Sequence, residues 1–155
     1  MQIWHTYHEG EIDKALLMLS KAKIKLAIVI TMKDGEKIAT ASYDAAATQL
    51  KSGEIHALLK IGKIHYEDEL YFELEYKQLY PEDIKELVVC DKWISESESP
   101  EDVLKPGQHV HVTRNDLGTV YDGELTVVTF LDIVVKTAEG EFSIPSSKIR
   151  TIVVL

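Results

Sequence analysis

The sequence predicts a mainly β protein with short helices, an α+β chain folded as two small β-barrels, each preceded by a helix. Three observations predict it. Apolar, β-branched runs such as Leu26-Ala27-Ile28-Val29-Ile30 recur between glycine turns, which is the composition of strands. Only three short stretches carry helix signals. The two halves also end alike: Tyr80-Pro81 precedes Ile84-Lys85-Glu86-Leu87-Val88-Val89, and Ile144-Pro145 precedes Ile149-Arg150-Thr151-Ile152-Val153-Val154. That likeness suggests a tandem repeat with an insertion in the first half.

Each element follows from its local pattern. Residues 11–22 read as a helix because Ile12, Ala15, Leu16 and Leu19 recur at i, i+3, i+4 and i+7, which is one helical face. Residues 25–32 read as a strand, Lys33-Asp34-Gly35 as a turn, and residues 37–42 as the next strand. The alanine-rich residues 43–50 read as a helical insertion. Residues 56–66 form a strand with Gly62 as a bulge or bend. Residues 67–69 are a turn. In residues 71–79, Phe72, Leu74 and Tyr76 alternate with Glu73, Glu75 and Lys77, the pattern of a half-buried strand with the apolar set facing inward. Residues 84–89 are a further short strand.

Ser99-Pro100-Glu101-Asp102 is a helix start: a capping hydroxyl, a proline suited to the first helical position, and acids at the positive end. Pro106-Gly107 limits that helix to a turn or two. Strands follow at 109–114 and 119–124, then a long one at 125–136, a hairpin turn at 138–141, and strands at 142–144 and 148–155.

Charge locates the boundary. Residues 1–90 carry 11 basic and 15 acidic residues, a net of −4; residues 91–104 carry one and five, again −4; residues 105–155 carry five and six, only −1. Acidity is thus densest in a short Ser/Glu-rich stretch, which reads as a solvated linker. The expected division is residues 1–90, a linker and short helix at 91–106, and residues 107–155. The net charge of −9 argues against binding nucleic acid by bulk electrostatics. Cys90 is the single cysteine, so no intrachain disulfide is expected, in keeping with a reducing compartment. The N-terminal stretch lacks a basic n-region and an apolar h-region, and the longest aliphatic run is too short to span a bilayer. A cytoplasmic protein with no membrane or DNA partner and no cofactor is the expectation.

The second half resembles the Sm-like family, a five-stranded, strongly bent small barrel with an N-terminal helix. The resemblance rests on Pro100-Glu101-Asp102-Val103-Leu104, Val110-x-Val112, Gly118-x-x-Tyr121-x-Gly123-x-Leu125 and the closing Ile144-Pro-Ser-Ser-Lys-Ile149-Arg-Thr-Ile-Val-Val. An SH3-like barrel is similar to the same string. The first half resembles the family through Asp34-Gly35-Glu36-Lys37-Ile38. The resemblance implies small barrels, but the family's base-reading polar positions fall near Thr129 and Ile133, and only Ile149-Arg150-Thr151 stands near its second motif.

Candidate sites fall into three groups. Arg114, Lys148 and Arg150 with Tyr121 combine phosphate-binding cations with an aromatic face that stacks a base, although Asp116, Asp122 and Glu124 oppose them. His109 and His111 flank Val110 on one strand face; with Cys90 as third ligand they would suit zinc, and otherwise they are surface histidines around an inward valine. For a protein interface, Trp4 and Trp93 are candidate anchors. Ile149, Ile152 and Val154 mark a final strand with almost no charge, which needs a neighbour to guard its edge. That neighbour is either another part of this chain or a second copy. The leading expectation is a non-enzymatic binding module that works through protein contacts and self-association. An Sm-like RNA-binding regulator is the alternative, and a metal-dependent enzyme the second alternative.

Overall fold

The computed structural model describes residues 1–66, 72–95 and 97–155. They form one α-helix and twelve strands. No helix among them is long and apolar enough to cross a membrane. The chain divides into two compact units, Tyr7–Val89 and a second made of Met1–Thr6 with Cys90–Leu155. The first six residues thus fall with the second unit, although the charge pattern groups them with the first.

In the Tyr7–Val89 unit, α1 (Ile12–Lys21) buries Ile12, Ala15, Leu16 and Leu19, the face its spacing predicts. β2 (Ala27–Met32) and β3 (Lys37–Thr40) form a hairpin in which Ile28 pairs with Thr40 and Ile30 with Ile38. The turn is fixed by Asp34, whose Oδ1 accepts from Glu36 N at 2.8 Å. At Ala41-Ser42 the chain bends. Thr40 Oγ1 accepts from Ser42 N at 3.0 Å, and Gly62 N donates to Ser42 O at 2.7 Å.

After the bend comes β4 (Tyr43–Gln49), a strand where a helix is expected. Its burial alternates with period two from the buried Tyr43. Ala45 packs against the core cluster, and α1 lies against β4. The small side chains that raise helix propensity also let a helix approach a sheet closely, so tertiary packing overrides local preference. β5 (Ile55–Tyr66) pairs with β4 and with β6 (Phe72–Leu79), giving the order β4-β5-β6. Gly62 keeps the regular ladder with Tyr76. It is a point of close approach rather than a bulge, because a Cβ there would stand 2.8 Å from Ser42 Oγ. The turn expected at 67–69 lies outside the described residues. β7 (Ile84–Trp93) enters from a 3-10 turn at Pro81–Asp83 and flanks β2, giving β7-β2-β3 in this unit.

The second unit is a sheet of order β11-β10-β9-β8-β12-β1. Its strands are β1 (Gln2–His8, entering the unit through Thr6), β8 (His109–Arg114), β9 (Val120–Val128), β10 (Asp132–Thr137), β11 (Gly140–Pro145) and β12 (Ile149–Val154). β12 pairs antiparallel with β8 and parallel with β1, Ile152 facing Val112 on one side and Ile3 on the other. The long strand expected at 125–136 is two strands. Thr129 Oγ1 donates to Asp132 Oδ1 at 2.6 Å and accepts from Asp132 N at 3.0 Å, which folds the intervening residues into a tight turn. The second expected helix is a single 3-10 turn, Pro100–Asp102, with Ser99 Oγ accepting from Glu101 N at 3.3 Å.

Both sheets are open, so the mainly β expectation holds and the closed barrels do not form. In the second unit the reason is β1, which occupies the edge of β12 that closure onto β11 would require. The expected linker is also more than a solvated tether. Asp91, Lys92 and Trp93 end β7. Ile94 and Leu104 belong to the second unit's core, which also holds Ile3, Val110, Leu125, Ile133 and Ile144. The first unit has its own core around Leu16, Ile30, Leu59, Ile61 and Leu87.

Candidate functional site

The expected interface residues Ile149, Ile152 and Val154 are core, 3%, 0% and 9% exposed. Their strand has a partner on each side. The final strand does find a neighbour, within its own unit, and so leaves no edge for a second copy. Trp4 is half-buried with its Nε1 on Gln2 Oε1 at 3.2 Å, whereas Trp93 stands 68% exposed.

The basic set is partly gathered. Arg114 lies across from Ile149, and Asn115 N donates to Lys148 O at 2.9 Å. The Arg114 guanidinium is already engaged. Its Nε and Nη2 donate to the two Asp116 oxygens at 2.8 and 2.7 Å. Those hydrogen bonds hold the Asp116 carboxyl down at about 2 and push the Arg114 pKa up, with Tyr121 adding to the latter. Tyr121 packs against Phe142 with ring centroids 5.1 Å apart. Lys148 and Arg150 are exposed. His109 and His111 flank the fully buried Val110, and His111 is ion-paired with Asp122. Among the described residues no group of three or more His, Cys, Asp or Glu is placed to hold a metal ion. Cys90 is buried, and that burial, followed by the nearby Asp91 charge, pushes its thiol pKa up, away from the thiolate that ligation or nucleophilic attack needs.

The exposed apolar site lies instead on the β5–β6 hairpin. β4 covers β5 only from Ile55 to Ile61, whereas β6 pairs with it from Leu59 to Tyr66. Beyond Ile61 the two strands run as a ribbon. β6 ends the order β4-β5-β6, so among the described residues one whole side of its backbone has no strand partner.

The two faces of this ribbon differ. One carries Lys63 and His65 opposite Glu75 and Glu73. There His65 Nε2 meets Glu75 Oε2 at 2.6 Å, while Lys63 and Lys77 reach Glu36 at 3.6 and 3.7 Å. The other face carries Ile64 opposite Leu74 and Gly62 opposite Tyr76. These three large apolar residues are 56%, 42% and 50% exposed. Leu74 leans over the bare backbone of Gly62, where an added Cβ would stand 2.9 Å from its Cδ1.

The expectation that Leu74 and Tyr76 face inward is therefore corrected, and the side chain of Phe72 lies outside the described residues. The physical reason is a switch of parity. Near the core the apolar positions are odd: Leu59, Ile61 and Leu79, all buried. Further out they are even: Ile64, Leu74 and Tyr76. Alternating side chains point to opposite faces, so the outer apolar set cannot share the core of the inner set. The switch was visible in the sequence as Leu59-x-Ile61 followed by Ile64. No family model, curated protein or solved structure matches this chain.

Proposed function

We propose that the chain is a non-enzymatic binding module that takes extended protein segments by strand addition at β6. The observation that carries this is the coincidence of an unpaired strand edge with exposed Ile64, Leu74 and Tyr76 on the same ribbon. Backbone groups on the edge give affinity, and the apolar face gives selectivity for alternate side chains. Singly exposed apolar residues are ordinary, but a cluster on an unpaired edge is not.

The Sm-like or SH3-like character of the units belongs to this proposal. It is supported by strand order: the last strand lies beside the first of the set in both units, as β12-β8-β9-β10-β11 and as β7-β2-β3 continuing through the bend into β4-β5-β6. A 3-10 turn precedes each last strand, at Pro81–Asp83 and Ser146–Lys148, which also supports the tandem-repeat reading. RNA binding by Arg114, Tyr121, Lys148 and Arg150 is less well supported, because Asp116 already neutralises Arg114 and Tyr121 is packed, tilted, against Phe142.

A displayed library of random peptides tests the proposal. Selected peptides should be extended, with apolar residues at alternate positions, and Leu74→Lys should weaken their binding at least about tenfold while leaving the melting temperature unchanged. Peptides that bind Leu74→Lys as well as the parent chain overturn the β6 site.

A further inference from the structure

The described strand edges differ in what they can accept. β3 has only four residues. β4 presents Ala46 and Thr48 outward and has α1 packed against it. β11 is short, ends in Pro145 and turns Phe142 and Ile144 away from solvent. Each is small, covered or blunted in the ways that discourage edge pairing. β6 is neither short nor covered and contains no proline: it is eight residues long and has every side chain from Glu73 to Gln78 exposed, so its charges are its one guard.

The charges along β6 then select the partner. From Glu73 to Lys77 the strand reads Glu-Leu-Glu-Tyr-Lys, acidic at its start and basic at its end. A parallel, in-register copy would set Glu73, Glu75 and Lys77 each against its like. An antiparallel copy reverses this. With the two-fold axis at Glu75, each Glu73 faces the other copy's Lys77 and each Leu74 faces Tyr76. The two Glu75 carboxylates then oppose each other, each already held by its own His65. With the axis at Tyr76, each Glu75 faces Lys77 and the tyrosines face one another. In either register both lysines meet carboxylates and both tyrosines meet apolar groups, the pairings that stabilise neighbouring strands.

We infer that the strand β6 accepts is β6 of a second copy of this chain, laid antiparallel about a two-fold axis. The inference rests on the strand-addition reading above and names its partner. The contact is isologous, so it closes at two copies and does not propagate. It joins Ile64, Leu74 and Tyr76 of both chains into one continuous apolar face, and it satisfies the backbone donors and acceptors that β6 leaves open.

Charge-reversal pairs test this in sedimentation velocity on the full chain up to about 200 µM. Lys77→Glu makes the strip wholly acidic; Glu73→Lys with Glu75→Lys makes it wholly basic. All three positions are exposed, so circular dichroism should report an unchanged fold for both variants. The parent chain should dimerise reversibly. Each variant alone should dimerise about tenfold or more weakly, since two attractive cross-strand pairs become repulsive. An equimolar mixture of the two should recover the dimer. A parent chain that stays monomeric overturns self-pairing; if the selected peptides still require Leu74, strand addition stands and its partner is another protein. A dimer indifferent to both variants places the interface elsewhere and also overturns self-pairing.

Discussion

Gly123→Ala tests the packing of the second unit most sharply. Gly123 lies in β9 directly against β10. A Cβ built there falls 2.1 Å from Lys136 O, 2.7 Å from Lys136 C and 3.1 Å from Val135 Cγ1. Carbon and carbonyl oxygen normally approach no closer than about 3.3 Å, so the strands must part by roughly an ångström. A shift of that size takes the neighbouring N–H···O bonds beyond useful length, at about 1 kcal/mol each for one or two bonds. It also disturbs Leu125 and Val135, both fully buried, and overpacking of this kind costs about 1–3 kcal/mol. The expected loss is about 2–5 kcal/mol in urea unfolding, read from a lower midpoint at unchanged slope. Gly62→Ala is the control. Its nearest atoms are Ser42 Oγ at 2.8 Å and Leu74 Cδ1 at 2.9 Å, side-chain ends that can rotate away, and Ser42 Cβ at 3.1 Å, which must yield only slightly. Its cost should stay within about 1 kcal/mol, partly offset by a stiffer unfolded chain. The reasoning is refuted if Gly123→Ala costs less than about 1 kcal/mol, or if Gly62→Ala costs more than it.

Two further outcomes follow from the same geometry. Ile152 is fully buried between β8 and β1, so Ile152→Ala should cost about 2–4 kcal/mol, whereas the adjacent, exposed Arg150→Ala should stay within about 0.5 kcal/mol; chemical denaturation measures both. His5 Nδ1 lies 2.7 Å from Asp91 Oδ2, and this hydrogen bond raises the His5 pKa above 6.5 against the opposing effect of burial. A raised folded value contributes stability that is fully present below the unfolded pKa and is lost as pH rises through the folded one. The stability gap between the parent chain and Asp91→Asn should therefore be wider near about pH 5.5 than near about pH 8.5, and a gap that widens with rising pH contradicts the pairing.

Much of the fold could be read from local pattern because local pattern decides it. The spacing of Ile12, Ala15, Leu16 and Leu19 is enough for α1, and the β-branched, almost uncharged end of the chain is enough for β12. What escaped depends on distant contacts. β1 offers only Ile3 as a buried side chain, and its place is set by parallel pairing with residues 151–154. β4 centres on three alanines, good helix formers that are held extended between β5 and α1. The break at Thr129 hides inside an apolar run, because one hydroxyl that both donates and accepts makes that turn. The functional site was half legible. The alternation of Leu74 and Tyr76 with charged residues marks a two-faced strand, but alternation alone does not say whether the apolar face meets a core or a partner. The change of parity between Ile61 and Ile64 adds that the outer apolar set does not share the core of the inner set, since alternate side chains point to opposite faces. Trp93, expected as an anchor from its polar surroundings, is the more exposed of the two tryptophans.

Hydrogen exchange at the backbone amides of β6, followed as a function of protein concentration, tests the central claim most directly. If β6 is an open edge that closes on another strand, the outward amides between Glu73 and Lys77 should exchange quickly in dilute solution. They should slow by about tenfold or more as the chain is concentrated, while the amides of β11 keep one rate throughout. Slow exchange along both sides of β6 at every concentration, or slowing confined to β11, would contradict it.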